Sequence, residues 1–255
     1  MFQIIEKRSL NLAELALAAL LALGGVSAQA ASGSIGSEAK LGDLLYNSKT
    51  LVFGDKVFSD FVFSSENVFH PTTNIELTAG EAAAMIDVKA GLIGQYIGLD
   101  FMTPFHAHGG QLSGLHIDFT VTITDPTLYF SDVHVDGSPS VTGSGQATGV
   151  TTVNDLTHTL VPMNPPGLLK IYDYGVAGPN PTVLNASADL LKPYHYKTLM
   201  IENDLQFSAA VGSNAEFAHY QVSFSQAVPE PSTYALALVG LAGLGLTRLR
   251  RRKQG

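Results

Sequence analysis

The sequence contains no cysteine and no tryptophan. The first absence excludes disulfide staples, thiol nucleophiles and cysteine-held zinc or iron–sulfur sites. A domain without disulfides must bury a core large enough to hold itself together, and roughly 200 residues suffice. The second absence weakens the case for a sugar-stacking surface, because tryptophan is the largest planar side chain available. Arginine is missing from the middle of the chain, with Arg8 near one end and Arg248, Arg250, Arg251 and Arg252 near the other. Between residues 31 and 227 seven lysines stand against nineteen acids, a net charge near −12. Such a surface repels phosphate backbones, so no nucleic-acid partner is expected. Amphipathic helical stretches of 10–15 residues between strands are lacking too, which counts against an α/β architecture.

What is present begins at the two ends. Residues 1–30 read as an export signal: Lys7 and Arg8 form a positive start, Leu15 to Gly25 an apolar stretch, and Ala28-Gln29-Ala30 a small-x-small cleavage site. At the other end Val228-Pro229-Glu230-Pro231 cannot join a helix or central strand, because each proline lacks an N–H and fixes φ. Tyr234 to Leu246 is an unbroken apolar run of 13 residues. As a helix it is short against the ~20 residues a bilayer needs. Ser232, Thr233 and Thr247 lengthen it, so a transmembrane helix is expected over about 232–247, followed by a basic tail at 248–253. Both ends place their cations on the cytoplasmic side and residues 31–227 outside.

The ordered triple of Pro229-Glu230-Pro231, greasy helix and the Arg248, Arg250, Arg251, Arg252 cluster resembles the PEP-CTERM sorting signal of Gram-negative, exopolysaccharide-producing bacteria. The resemblance covers about a tenth of the chain. It implies Sec-type export, a transient stay in the inner membrane, and recognition of the Pro-Glu-Pro triplet by an exosortase-like processing enzyme. Delivery to the cell surface or a biofilm matrix follows. Gly54-Asp55-Lys56-Val57-Phe58-Ser59-Asp60-Phe61 is also similar to an early segment of many PEP-CTERM bodies, and by itself reads as a core strand after a Gly-Asp turn.

The body between the signals, residues 31–227, reads as one all-β domain. Leu115, Ile117, Phe119, Val121 and Ile123 alternate with His116, Asp118, Thr120, Thr122 and Thr124, the period-two pattern of a sheet with one dry and one wet face. Leu128–Val135 and Ala218–Ser225 read as strands, as do Val57–Phe63, Asn74–Thr78, Met85–Ala90, Gln95–Phe101, Leu168–Tyr174, Tyr194–Ile201 and Leu205–Val211. Leu41–Asn47 reads as a short helical turn, and Asp136-Gly137-Ser138-Pro139, Thr142–Thr152 and Pro162–Gly167 as a turn and two loops. The expected fold is an antiparallel β-sandwich, jelly-roll-like or immunoglobulin-like, between an N-terminal signal helix and the C-terminal transmembrane helix.

Three constellations carry chemistry. His106 and His108, two apart in an extended segment, share a face and suit Zn²⁺ or Cu²⁺, with Asp100, His116 or Asp118 as completing ligands. Asp132 to Gly137 fails as an EF-hand, since His134 occupies the third position and Gly143 the twelfth. Clustered carboxylates leave weak calcium binding as the only cofactor expectation. Tyr172 with Tyr174, and Tyr194 with Tyr196, pair on strand faces as a sugar-stacking platform or as core packing. No nucleophile elbow is present, since Ser144 lies in Gly143-Ser144-Gly145 without the required spacing. The leading expectation is therefore a non-enzymatic surface or exopolysaccharide-matrix protein with polysaccharide as partner. The alternatives are a carbohydrate-binding module and a metal-dependent secreted enzyme using His106 and His108.

Overall fold

The computed structural model describes residues 34–35, 37–46, 49–156, 167–176, 182–190 and 195–227. The export signal at 1–30, the sorting triplet, the membrane span and the arginine cluster lie outside the described residues, as do Tyr194 and nearly all of the loop expected at Pro162–Gly167. Among the described residues no helix is long and apolar enough to cross a membrane.

In chain order the elements are β1 (Ser34–Ile35), β2 (Glu38–Lys40), α1 (Leu41–Tyr46), β3 (Thr50–Phe53), β4 (Lys56–Glu66), α2 (Ala79–Met85), β5 (Asp87–Ile93) and β6 (Tyr96–Met102). There follow β7 (His106–His108), β8 (Leu112–Ile123), β9 (Tyr129–Thr142), β10 (Ser144–Asp155), β11 (Gly167–Gly175), β12 (Asn185–Asp189), β13 (Thr198–Ala209) and β14 (Asn214–Ala227). One sheet, called A below, runs β1-β3-β4-β8-β13-β10-β11; the other, B, runs β12-β9-β14-β6-β5-β2, with β7 also paired to β14. All pairings are antiparallel except the short β1–β3 contact.

Alternation explains why two sheets face each other. Along β8 every second residue from Ser113 to Ile123 is buried, as the sequence pattern predicts. The dry faces meet in an aromatic centre: Phe119 of sheet A lies 5.8 Å from Phe101 and 6.5 Å from Phe224 of sheet B, and 5.9 Å from Phe61 of its own sheet. A polar chain crosses the same interior. Asn203 Nδ2 donates to the Ile117 carbonyl at 2.8 Å, and Thr151 Oγ1 donates to Asn203 Oδ1 at 2.8 Å. Because the threonine proton is spent there, the Tyr220 hydroxyl donates to Thr151 Oγ1 across the sandwich at 2.5 Å. Tyr220 is fully buried, and burial pushes its phenol far above the ordinary value. Near one edge, buried Lys56 reaches across from β4 to the Gln226 side chain on β14 and to Asp55, beneath the Phe130 ring. Burial lowers its pKa against the opposing pull of Asp55.

Four expectations change. Asp136-Gly137-Ser138-Pro139 is not a turn; β9 runs through it to Thr142 paired with β14, and Gly137 leaves room for Ile171 Cδ1, 2.5 Å from where a side-chain carbon would stand. Thr142–Thr152 is not a loop but β10, turned from β9 at Gly143 (φ +84°), and Gly149 leaves the room that the Tyr220 ring fills. Asn74–Thr78 makes only an isolated bridge, Phe69 with Glu76, and Thr78 caps α2 in a capping box with Glu81. The two strands expected at Tyr194–Ile201 and Leu205–Val211 are one, β13, since the Asn203 amide is satisfied inside the core. The helical turn at Leu41 is present as α1.

Tyr220→Phe removes one buried hydrogen bond and is expected to cost about 1–2 kcal/mol in urea unfolding, whereas Asn203→Leu strands the threonine donor and costs roughly 2–3 kcal/mol. Equal, negligible effects would mean that the polar chain does not tie the sheets.

Candidate functional site

The outward face of sheet B carries a complete polar row. The strand registers align Lys89, Asp100, Gln221, Asp136 and Asn185 across β5, β6, β14, β9 and β12. The next row on that face is Gly91, Gly98, Ser223, His134 and Ser187, nearly empty of bulk on β5, β6 and β14. Tyr96 fills the gap. Its ring stacks on His134 at 4.2 Å with the planes 7° apart, although β14 lies between their strands. The two side chains therefore bridge β14, and Ser223 beneath them is 1% exposed. The Tyr96 hydroxyl accepts from Gln95 Nε2 at 2.7 Å.

An open groove follows these residues, lined by Ile93, Gly94, Tyr96, Asp136 and Gln221 and continuing past Lys89, Gly91 and Asp100. Gly94 (φ +61°) makes the tight β5–β6 turn at its rim. Asp100 is held by His219 Nδ1, 3.2 Å from each carboxylate oxygen. The groove thus offers one aromatic ring, two carboxylates, an amide and an ammonium group. Those are acceptors and donors for hydroxyl-rich ligands beside a flat apolar surface.

The same face brings a serine, a histidine and an aspartate together. Ser225 Oγ donates to Asp132 Oδ2 at 2.7 Å and lies 3.2 Å from His134 Nε2. With its proton committed to the carboxylate, Ser225 accepts from His134 Nε2–H. The imidazole therefore presents a proton rather than a lone pair, the reverse of what an activated nucleophile needs.

The sequence-predicted metal candidates on β7 and β8 fall into two separate pairs. His106 and His108 come together on β7, ring centroids 4.1 Å apart. His108 Nδ1 lies 2.6 Å from Asn214 Oδ1, and His106 stands opposite Glu216 in the register. Burial, then the charge of His108, lowers the pKa of His106 against the opposing pull of Glu216. His116 and Asp118 lie on sheet A instead, with Nε2 to Asp118 Oδ2 at 2.9 Å and Nδ1 to Asp204 Oδ1 at 2.7 Å. Neither they nor Asp100, which pairs with His219, complete a site at His106. Among the described residues no three His, Asp or Glu side chains stand together closely enough to hold a metal ion.

Burial pulls His116 down, but its bonds to Asp204 and Asp118 outweigh that, and its pKa sits above the ordinary value. Burial raises the Asp118 carboxyl, with Asp204 adding and His116 only partly offsetting; Asp118 Oδ1 is buried without a partner. Of the tyrosines, Tyr196 is core, while Tyr172 and Tyr174 pair on edge strand β11 at 4.8 Å with the Lys170 ammonium over both rings. That cation occupies the rings a sugar would need.

Residues 227–253 match the PEP-CTERM protein-sorting motif. The chain carries a sorting signal of that family. The motif marks it for sorting as an exported protein, and the match begins at Ala227, the last residue of β14. No curated protein matches the chain. Among solved structures it is similar to TmCBM61 in complex with β-1,4-galactotriose, at 8% identity and TM-score 0.28, covering 65% of this chain and 88% of that one. It is also similar to a structure described as carbohydrate-binding modules from the β-sandwich superfamily, at 7% identity and TM-score 0.28, covering 66% and 56%. Tailspike protein 4 of bacteriophage CBA120 is similar at 9% identity and TM-score 0.27, covering 65% and 19%.

Tyr96 and Gln221 were not singled out in the sequence, and Asp136 entered only through the rejected calcium loop and the expected turn; the glycine density of Gly91, Gly94 and Gly98 around a tyrosine was the available signal. A raised histidine pKa stabilises the fold fully below the ordinary value of 6.5 and loses that contribution as pH rises through the folded value. His116→Gln is therefore expected to destabilise more at about pH 5.5 than at about pH 8.5 in parallel denaturant unfolding. A loss that does not change with pH would contradict the pairing.

Proposed function

We propose that the protein is exported, processed at its C-terminal motif by an exosortase-type enzyme, and acts in the extracellular matrix as a non-catalytic polysaccharide-binding protein. The observation that carries the binding half is the groove on sheet B, where the Tyr96 ring, held by His134, stands beside the Asp100–Gln221–Asp136 row. A pyranose ring presents an apolar face and a rim of hydroxyls. Tyr96 suits the first, and carboxylate and amide oxygens accept from the second. A row spanning several strands suits a polymer better than a small metabolite, because successive sugars meet successive strands roughly 4.8 Å apart.

The non-catalytic reading is supported by the Ser225 hydrogen-bond direction. The jelly-roll alternative is favoured over the immunoglobulin one by connectivity: β8 to β9, β9 to β10, β11 to β12, β12 to β13 and β13 to β14 each pass from one sheet to the other.

In pull-downs with matrix polysaccharide, Tyr96→Ala is expected to weaken binding by about tenfold or more, while Tyr172→Ala leaves it unchanged. Wild-type strength in Tyr96→Ala, or no binding by the wild-type protein, would remove the polysaccharide reading. For the sorting half, replacing Pro229, Glu230 and Pro231 together by alanine is expected to leave unprocessed precursor in the membrane fraction on an immunoblot. Normal processing of that variant would contradict it.

A further inference from the structure

We propose that His106 and His108 form a two-imidazole chelate for a divalent transition-metal ion, Cu²⁺ in preference to Zn²⁺, with Asn214 as its outer-sphere support. The site lies on β7 and the facing end of β14, apart from the sheet B groove, and does not depend on the polysaccharide reading.

The argument rests on where the His108 ring spends its proton. Asn214 Oδ1 can only accept, so the 2.6 Å contact requires His108 Nδ1 to carry hydrogen. In the neutral ring Nε2 then keeps a bare lone pair. His106 lies beside it on the same strand, half-buried, with its ring edge-on to that of His108. A ligating histidine whose other N–H is donated to a carbonyl is the usual second-shell arrangement, because it sets both tautomer and ring orientation. Here His108 has that support before any ion arrives.

The strand supplies the spacing. Residues two apart on β7 project to the same side, and the ring centroids are 4.1 Å apart. An ion ~2.0–2.1 Å from each nitrogen places the centroids roughly 5 Å apart, so the rings open by about an ångström. Backbone pairing of Ala107 with Ala215 keeps the strand in place while they do so. Glu216, opposite His106, adds a negative charge beside the pair, and solvent completes the coordination. Two imidazoles with oxygen donors suit Cu²⁺, which lies above Zn²⁺ in the order of divalent affinities.

The test is a Cu²⁺ titration of the full-length protein by calorimetry with electron paramagnetic resonance. We expect one ion per chain with nitrogen hyperfine structure, lost in His106→Gln and in His108→Gln. Asn214→Leu should weaken binding by about 10–100-fold and Asn214→Asp, which keeps an acceptor, should retain it. Unchanged affinity and spectrum in His108→Gln would overturn the proposal. Should the variants fail to fold, Zn²⁺ added to the wild-type protein decides: imidazole proton resonances must shift at His106 and His108, and shifts confined to other histidines, or none, would refute it.

Discussion

Two sheets with no disulfide between them stay aligned only if their inner faces are apolar along every strand and their relative placement is pinned. The first condition is met by strict alternation, clearest along β8 and β13, whose inward residues are buried almost without exception. The second is met by polar groups that have partners only in one alignment. Tyr220 reaches across to Thr151, which is held by Asn203, which holds the Ile117 carbonyl. Lys56 does the same near the end of β14 through Gln226. Apolar packing alone tolerates sliding; a buried hydroxyl or ammonium without its acceptor does not, because the unmet group costs more than a bond gains.

That division of labour frees the outward faces. Sheet A spends its outer face on a histidine clamped between two aspartates and on tyrosines covered by a lysine. Sheet B leaves a stretch clear, because Gly91 and Gly98 carry no side chain and Tyr96 bridges over Ser223 instead of standing up from the sheet. The polar row beside it then borders open space. The sorting motif begins where β14 ends, so fold and address share a single residue, Ala227.

Much of the fold was legible because alternation is local. The expected strands at Val57–Phe63, Gln95–Phe101, Leu115–Thr124 and Leu168–Tyr174 coincide with β4, β6, β8 and β11. Three of the four misreadings share one cause. Gly137 and Gly149 were read as punctuation, yet each sits inside a strand where a residue distant in sequence, Ile171 or Tyr220, occupies the space of its side chain. Asn203 looked like a break for the same reason, its partners being Thr151 and Ile117. The site was less legible still. The proximity of His106 to His108 follows from spacing, and so does the His116–Asp118 contact, but Asn214, Glu216 and Asp204 join them only through strand pairing. The Asp100–Gln221–Asp136 row brings three segments into one line that no local pattern announces. The sorting motif was legible because its features follow one another along the chain.

The account stands or falls on which face meets polysaccharide. Isotope-labelled protein titrated with oligosaccharides from the matrix polymer would show this directly by amide chemical-shift mapping. The account predicts perturbations concentrated on Gly91, Gly94, Tyr96, Gly98, Asp136 and Gln221, with the outer face of sheet A silent. Perturbations at Lys170, Tyr172 and Tyr174 instead, or none at saturating ligand, would contradict it.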